Sequence, residues 1–415
     1  MSRRTIAMFA LIIAGEAVFM LPFVVARVFR SAFLAVFGLS NLQLGSAFSV
    51  YGIVAMVSYL LGGPLADRFA ARTLITVALV ATAAGGVVFA LIPSIPMLIA
   101  LYGYWGLTTI LLFWAALIRA TREWGAEDAQ GRAYGVLDGG RGLLAALLAS
   151  AAVVVFAQLL PLDVSAATAA QRSSALRTII VATTAFTVLA AALSWFALPP
   201  ATSTATTGAQ RQLDWIGVRA AARLPTVWLQ AIAIVCAYVA YKVTDNFGLY
   251  AHDVLGYDDI AAARLGALTF WTRPVAALGA GLLADRIGGT RTLTIGFILL
   301  AGGAAALGAG VLPVSVPVVL FATIVVTCLG IYGVRGVYFA VMNEMRLPLA
   351  ITGSAVGLVS VIGYTPDVFA GPLIGALLDH DPGAVGHQHV FFMTAGFALI
   401  GLASAVAMHC LTKRP

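Results

Sequence analysis

Two charged residues stand inside an otherwise apolar stretch of the first half of the chain. The segment GRAYGVLDGGRGLLAALLASAAVVVFAQ begins at Gly131 and can cross a bilayer, yet it carries Asp138 and Arg141. Charged groups inside hydrocarbon are costly, and they are therefore usually functional or paired. Because the two residues are three positions apart, they share one face of a helix and can neutralise each other. Two interpretations stay open: an internal ion pair, or contact with a ligand.

Similar charges recur in the other apolar stretches. The acidic candidates, which could also carry a coupling proton, are Glu16, Asp138, Asp245 and Asp367. The basic candidates for substrate binding are Arg27, Arg141, Lys242, Arg273 and Arg335. Lys242 and Asp245 repeat the three-residue spacing, so the same two interpretations apply to them. Arg273 and Arg335 have no acid at helical spacing, which favours contact with a substrate or with a partner on another helix.

Glu16 precedes Arg27 by about three helical turns and lies on roughly the same face. We expect it to pair with Arg141 or to carry a proton. Among the intramembrane charges, five bases face four acids. A guanidinium binds a carboxylate or phosphate through two parallel hydrogen bonds, so the surplus favours an organic anion. Aromatic walls are expected from Trp114, Trp271 and Tyr364.

The composition defines the class of protein that holds these charges. Of 415 residues, 61% are hydrophobic and only 10% are charged, whereas soluble domains carry about 25% charged residues. Apolar runs of the ~20 residues needed to cross a membrane recur along the chain. The sequence therefore predicts an all-α membrane protein with twelve spans. By hydropathy the spans start near Thr5, Gln43, Thr73, Met97, Gly131, Leu176, Thr226, Ala261, Thr292, Pro317, Ile351 and Val390. The sequence contains no nucleophile–base–acid set, phosphate loop or metal-ligand spacing, so we expect neither an enzyme nor a cofactor or metal.

The spans divide into two sets of six. We predict one bundle over residues 1–198, a cytoplasmic linker with an interfacial helix over 199–225, and a second bundle over 226–415. Basic residues collect in the tails and in every second loop, which places both termini in the cytoplasm of a multi-pass inner-membrane protein. The net charge of +7 reflects this bias toward anionic lipid and does not require nucleic acid.

A loop motif occurs once in each half. GGPLADRFAARTL (62–74) returns as GAGLLADRIGGTRTL (279–293). The motif resembles the loops between helices two and three, and eight and nine, of the major facilitator superfamily. The matching charged residues are Asp67, Arg68, Arg72, Asp285, Arg286 and Arg291. The resemblance implies two pseudo-twofold-related bundles around a central cavity, lined by helices one, four, seven and ten and flanked by two, five, eight and eleven. It also implies that these residues form a cytoplasmic latch.

Within that superfamily, the first half is similar to the sugar-phosphate permeases. The resemblance puts Arg27 at their phosphate-binding arginine and Lys242 near the basic residue of helix seven. It also puts Arg141 at the position of a binding-site histidine. The Glu-Arg-Gly triplet that follows helix four in those permeases is missing here.

The sequence therefore predicts a secondary active transporter that moves a small organic anion by alternating access, as an antiporter. One alternative is a proton-coupled symporter of a sugar or another small solute. An alternative of another class is a membrane ligand sensor built on the same fold. The expected partners are the substrate, the lipid bilayer and a coupling proton or counter-anion, and we expect a monomer.

Overall fold

The computed structural model describes residues 3–125, 130–200, 215–312, 317–345 and 349–412. This part of the chain contains twelve helices that are long and apolar enough to cross a membrane. In chain order they are α1 (Arg3–Val28), α2 (Asn41–Arg68), α3 (Ala71–Ala90), α4 (Ile95–Gly125), α5 (Gln130–Leu159), α6 (Ala169–Ala197), α7 (Pro225–Leu255), α8 (Asp259–Ile287), α9 (Gly289–Gly308), α10 (Pro317–Val337), α11 (Leu349–Gly363 and Pro366–His380) and α12 (Ala384–Thr412). The predicted number of spans is confirmed.

The predicted span starts lie close to these bounds, with two larger differences. Helix α6 begins at Ala169, where hydropathy suggested Leu176, and α12 begins at Ala384, where it suggested Val390. Both helices open with polar turns that extend beyond the apolar run, and hydropathy reports only the apolar part.

Between the halves, residues 201–214 of the predicted linker lie outside the described part of the chain. A helix, Trp215–Ala222, follows them. It packs on the first segment of α11 with Ala221 fully buried, while Arg219 and Arg223 are exposed. A short helix therefore lies within the predicted linker and packs partly on protein, and its position at the membrane interface stays a prediction.

We call the side that holds Arg3 and Thr412 the terminal side and the other the far side. Helix ends on the far side are strongly defined by local sequence. Ser40 and Gln43 form a capping box at the start of α2, and Asp258 caps α8 by accepting a hydrogen bond from the backbone N–H of Ala261 (2.7 Å). These are side-chain types that satisfy free N–H groups at a helix start. A left-handed Gly256, with φ of +68°, ends α7 just before.

The two bundles, α1–α6 and α7–α12, touch most closely where α2 crosses α11. Glycines occupy the crossing. A β-carbon added at Gly45 would overlap the carbonyl of Gly371, and one added at Gly375 would overlap the carbonyl of Asn41. Small residues let membrane helices approach backbone to backbone. This crossing, with a second contact between α5 and α8, closes the far side.

Several helices are irregular near the middle of the membrane. Helix α1 contains a π-helical stretch, Met20–Val24, around Pro22, and α4 contains another, Leu107–Trp114. Helix α7 passes through a 3₁₀ turn, Thr244–Asn246, and α11 breaks just before Pro366. Irregular backbone at this depth is tolerated where it is buried in protein or lines a cavity, and π-bulges often mark functional sites.

The glycine crossing generates a stability prediction. Gly45→Ala forces α2 and α11 apart, and overpacking of this kind costs about 1–3 kcal/mol. We therefore expect a lower midpoint of thermal unfolding for the purified variant. Gly396→Ala is the matched control, because a β-carbon at that helical glycine meets nothing within 4 Å. Equal midpoints for the two variants would contradict the close crossing.

Candidate functional site

A cavity of about 460 Å³ lies between the two bundles. Its walls come from α1, α2, α4, α5, α7, α8, α10 and α11, the eight helices that the family resemblance implied. Ile118, Tyr134 and Phe339 line it toward the terminal side, and it ends at the α2–α11 crossing. The cavity therefore extends to the terminal side and is closed on the far side.

The cavity gathers most of the predicted site residues. Those that line it are Glu16, Arg27, Trp114, Asp138, Arg141, Lys242, Arg273, Arg335, Tyr364 and Asp367. Asp245 lies in a smaller pocket that shares Lys242 and Asp367 with the cavity, and it is 5% exposed. Charges that are far apart in sequence thus meet in one chamber.

Arg27 of α1 and Asp245 of α7 form an ion pair that joins the two bundles. Their side chains are only 6% and 7% exposed. The guanidinium also stands over the rings of Tyr241 and Phe270, at 4.9 and 5.2 Å from the ring centroids. Arg27 follows the π-helical stretch of α1, and Asp245 lies in the 3₁₀ turn of α7. The two irregular segments therefore deliver the members of one buried pair.

Lys242 pairs with Asp367 of α11, with its Nζ 2.5 Å from Oδ1. The hydroxyl of Tyr238 donates to the other carboxylate oxygen, at 3.1 Å. Of the two interpretations left open for Lys242 and Asp245, the ion pair between these two residues is not formed, because each has a partner on another helix. The reason is tertiary: a shared helix face permits that pair, but Arg27 and Asp367 reach the same layer from other helices and make closer contacts.

A second group of charges lies nearer the terminal side. Asp138 accepts a hydrogen bond from Arg273 of the other bundle at 2.9 Å, while Arg141, on its own helix, is 3.9 Å away. Arg141 also approaches Glu16, with Nε 3.7 Å from Oε2. Gly15 provides the space, since a β-carbon there would lie 2.9 Å from the Arg141 side chain. Asp138 and Arg141, three residues apart in α5, are thus part of a four-member network with Glu16 and Arg273. The partner of Arg273 is on another helix.

Arg335 of α10 differs from the other cavity bases. Within the described residues it has no carboxylate partner. Its guanidinium lies 3.6 Å from the centroid of the Tyr241 ring and 5.4 Å from that of Tyr238. Stacking on a ring leaves the in-plane N–H donors of a guanidinium free for a ligand. The positive surplus counted in the sequence is therefore located at Arg335.

Tyrosines form much of the remaining wall, and sequence reasoning missed several of them. Tyr59 and Tyr364 stack across the two bundles with centroids 6.1 Å apart. Tyr238, Tyr241 and Tyr332 also line the cavity. The spacing of Tyr238 and Tyr241 could have identified these two residues, because they are three positions apart on the α7 face that continues to Asp245.

Trp271, predicted to bind substrate, lies outside the cavity. It is 38% exposed, and its indole N–H donates to the Ser150 hydroxyl at 3.0 Å. Each residue turns about 100° around a helix, so Phe270 and Arg273 face the cavity while Trp271 faces the α5–α8 contact. The structure therefore gives the predicted role of Trp271 no support, because residue type alone does not show which face of a helix points inward.

The predicted latch residues lie at the terminal side. Arg72 stands over the Trp195 ring at 4.1 Å, and Asp67 and Arg68 line a surface cavity of the first bundle. Asp285, Arg286 and Arg291 are exposed. None of the six makes an ion pair with another described residue, and the latch stays a prediction. Sequence reasoning missed Glu344, which follows α10. Its carboxylate accepts hydrogen bonds from the backbone N–H groups of Gly289 and Thr290 in the second copy of the loop.

Polar contacts also fasten the far side. Asp379 of α11 accepts hydrogen bonds from the backbone N–H groups of Asn41 and Leu42, at 3.0 and 2.8 Å, and thereby caps α2 from the other bundle. Asp259 of α8 pairs with Arg172 at 3.0 Å and accepts from Ser31 at 2.9 Å. Both acids lie at the far-side ends of their helices.

Twelve helices in two bundles around a charged cavity define the architecture of a membrane transporter. The family model of the Major Facilitator Superfamily matches residues 4–366. Because the match spans most of the chain, the chain belongs to the Major Facilitator Superfamily, whose members are transporters. The predicted fold and family are therefore confirmed.

Relatives agree with this assignment. Inner membrane protein YqcE of Escherichia coli (strain K12) is 28% identical over 374 residues, covering 88% of this chain and 85% of the relative. Inner membrane protein YihN of the same organism is 25% identical over 424 residues, covering 100% and 97%. The chain is a multi-pass membrane protein with relatives in the inner membrane.

Solved structures show the same fold. The nucleoside transporter NupG superposes with a TM-score of 0.72 at 13% identity, covering 100% of both chains. A bacterial homolog of the human lysosomal transporter Spinster, in an inward-facing and occupied conformation, gives 0.74 at 15% identity, covering 99% of this chain and 98% of that one.

The buried pairing generates a second prediction. Asp245→Asn leaves the Arg27 charge buried without its partner, which costs about 3–5 kcal/mol, so the variant should unfold at a clearly lower temperature. Adding Arg27→Gln should recover most of the loss. Adding Lys242→Gln instead should not, because it leaves both Arg27 and Asp367 unpaired. Thermal unfolding of the three variants measures this, and equal recovery by both double variants would contradict the cross-helix pairs.

Proposed function

We propose that this chain is a secondary active transporter that moves a small organic anion by alternating access. One observation carries the proposal: the cavity holds a guanidinium, that of Arg335, without a carboxylate partner among the described residues. An uncompensated cation in a low-dielectric chamber attracts an anion strongly. Arg27, Arg141, Lys242 and Arg273 surround the same chamber and would complete the binding site as their own pairs rearrange.

The distribution of basic residues supports an orientation for the transporter. Arg3, Arg4 and Arg68 lie on the terminal side, together with Arg286 and Arg291. By the positive-inside rule this side faces the cytoplasm, with both termini. The cavity then opens to the cytoplasm, and the arrangement is inward-open. The proposed division of the chain at the 199–225 linker gives two bundles that move against each other.

Reorientation to the outside requires that the far-side contacts open. The ones to be released are the Asp379 cap on α2, the Arg172–Asp259 pair and the glycine crossing. The proposed terminal-side latch, which includes Asp67 and Asp285, would form as that side closes. Enclosing a vacant cationic chamber is unfavourable, so a bound anion should accompany each reorientation. This argument favours antiport over uniport.

A proton-coupled symporter is the second candidate, and one contact favours it. Glu16 is 3% exposed, and its Oε2 atom receives no hydrogen bond from the described residues, with Arg141 3.7 Å away. A buried carboxylate that is only loosely paired is suited to binding and releasing a proton. Transport driven by an imposed pH gradient, and abolished by Glu16→Gln, would favour this mode. Exchange without a pH gradient would favour antiport.

A ligand sensor on the same fold is distinguished by counterflow in proteoliposomes, because a sensor binds its ligand without exchanging it. Probes for that assay can be chosen by a thermal-shift screen of the purified protein against phosphates, carboxylates and sugars. Ligands that bind the native state raise the unfolding midpoint, and the stabilisation grows with the ratio of ligand concentration to Kd.

The central guanidinium gives the third prediction. Arg335→Gln should weaken binding of the most stabilising anionic probe about 10–100-fold, as expected from the loss of a charge-assisted contact of about 1.5–3 kcal/mol, and counterflow should fall with it. Arg177→Gln removes the same charge from an exposed position of α6 outside the cavity, and it should exchange like wild type. Wild-type binding by the Arg335 variant would contradict the proposed anion contact.

A further inference from the structure

The ionic groups of the cavity can be assigned partner by partner. Asp245 neutralises Arg27, and Asp367 neutralises Lys242. The remaining acids, Glu16 and Asp138, serve two bases, Arg141 and Arg273. Only Arg335 is left over among the described residues that line the cavity. The chamber therefore carries a single uncompensated positive charge.

Charges next to the cavity do not alter this balance. Arg30, 4% exposed below the cavity, donates to the side-chain oxygen of Asn41 at 3.2 Å, and the Asn41 amide donates to Asp379 at 3.2 Å. The asparagine thus links this base to an acid. Arg172 and Asp259 pair with each other at 3.0 Å. Each set contains one base and one acid, so neither adds net charge to the cavity.

From this balance we infer that the site selects a singly charged anion, a monocarboxylate or its equivalent, over doubly charged and neutral molecules. The inference rests on the proposed function of anion transport. When the bundles close around the ligand, water leaves and each uncompensated charge becomes costly. A monoanion brings the enclosed chamber to neutrality, a dianion leaves one negative charge, and a neutral ligand leaves the guanidinium unmatched.

The walls indicate the body of the ligand. Tyr59 and Tyr364 present stacked rings, and Trp114 adds a third aromatic surface to the wall. Rings of this kind bind flat apolar or sugar-like faces, while tyrosine hydroxyls exchange hydrogen bonds. A cavity of about 460 Å³ is at the small end of the range of ligand sites. The ligand is therefore a small monoanion with a ring or a polyol chain.

The same geometry identifies Asp138 as the residue that sets the preferred ligand charge. Its side chain is 56% exposed in the cavity, and it neutralises Arg273 across the bundle interface. Removing its charge releases that guanidinium without disturbing the two deeply buried pairs. The chamber would then carry two surplus positive charges, and a dianion would match it.

The test compares matched probes of different charge. Two series are used: benzyl alcohol, benzoate and phthalate; and sorbitol, gluconate and glucarate. Binding to the purified full-length chain is measured by calorimetry and thermal shift, and exchange is measured by counterflow. Wild type should bind the monoanion of at least one series about 10-fold more tightly than its dianion and its neutral member. Asp138→Asn should change the dianion-to-monoanion ratio at least 10-fold toward the dianion.

Two further variants separate the outcomes. Arg335→Gln, which makes the chamber neutral, should lose the preference for monoanion over neutral probe, and Arg177→Gln should keep the wild-type ratios. Anion binding with the same charge ranking in wild type, Asp138→Asn and Arg335→Gln would overturn the charge-matching inference while leaving anion transport in place. If no anionic probe bound or exchanged, the proposed function itself would be contradicted. Unfolding midpoints confirm that each variant is folded.

Discussion

Neutralisation of buried charge across the seam between two bundles is the constraint on which the remainder of this structure depends. Arg27–Asp245 and Arg273–Asp138 each join one bundle to the other. Separating the two members of an ion pair inside a low-dielectric seam costs several kcal/mol. Relative motion of the bundles is therefore tied to the state of these pairs. Under the proposed function, transport and charge balance are parts of one equilibrium, which the proposed anion would bias because it supplies a partner of its own.

The sequence predicted the fold well because membrane insertion is governed by quantities that can be read along the chain. Hydropathy revealed all twelve spans, and the repeated GxLADR loops revealed the two halves. Polar first turns, such as that of α6 from Ala169, fell outside the apolar runs and shifted two boundaries. Hydropathy and short loop motifs are local properties of the sequence, and the fold prediction depended on them.

The site was predicted less completely, because pairing between helices is not a local property. Helical spacing showed that Lys242 and Asp245 share a face, yet each is neutralised by a residue from another helix. For the same reason Trp271 was predicted to line the cavity, whereas its neighbours Phe270 and Arg273 line it instead. Intramembrane charge was the reliable signal, since every charged candidate lies in the cavity or directly beneath it.

The glycine crossing of α2 and α11 has a consequence for the rate of motion. Interlocked side chains resist sliding because rotamers must change together, whereas two backbones meeting at Gly45, Gly371 and Gly375 present nearly smooth surfaces. The crossing can therefore separate with little rearrangement of side chains when the far side opens. Repacking at this crossing then adds little to the barrier for relative motion of the bundles, which leaves the ion pairs of the seam as the contacts that must be broken.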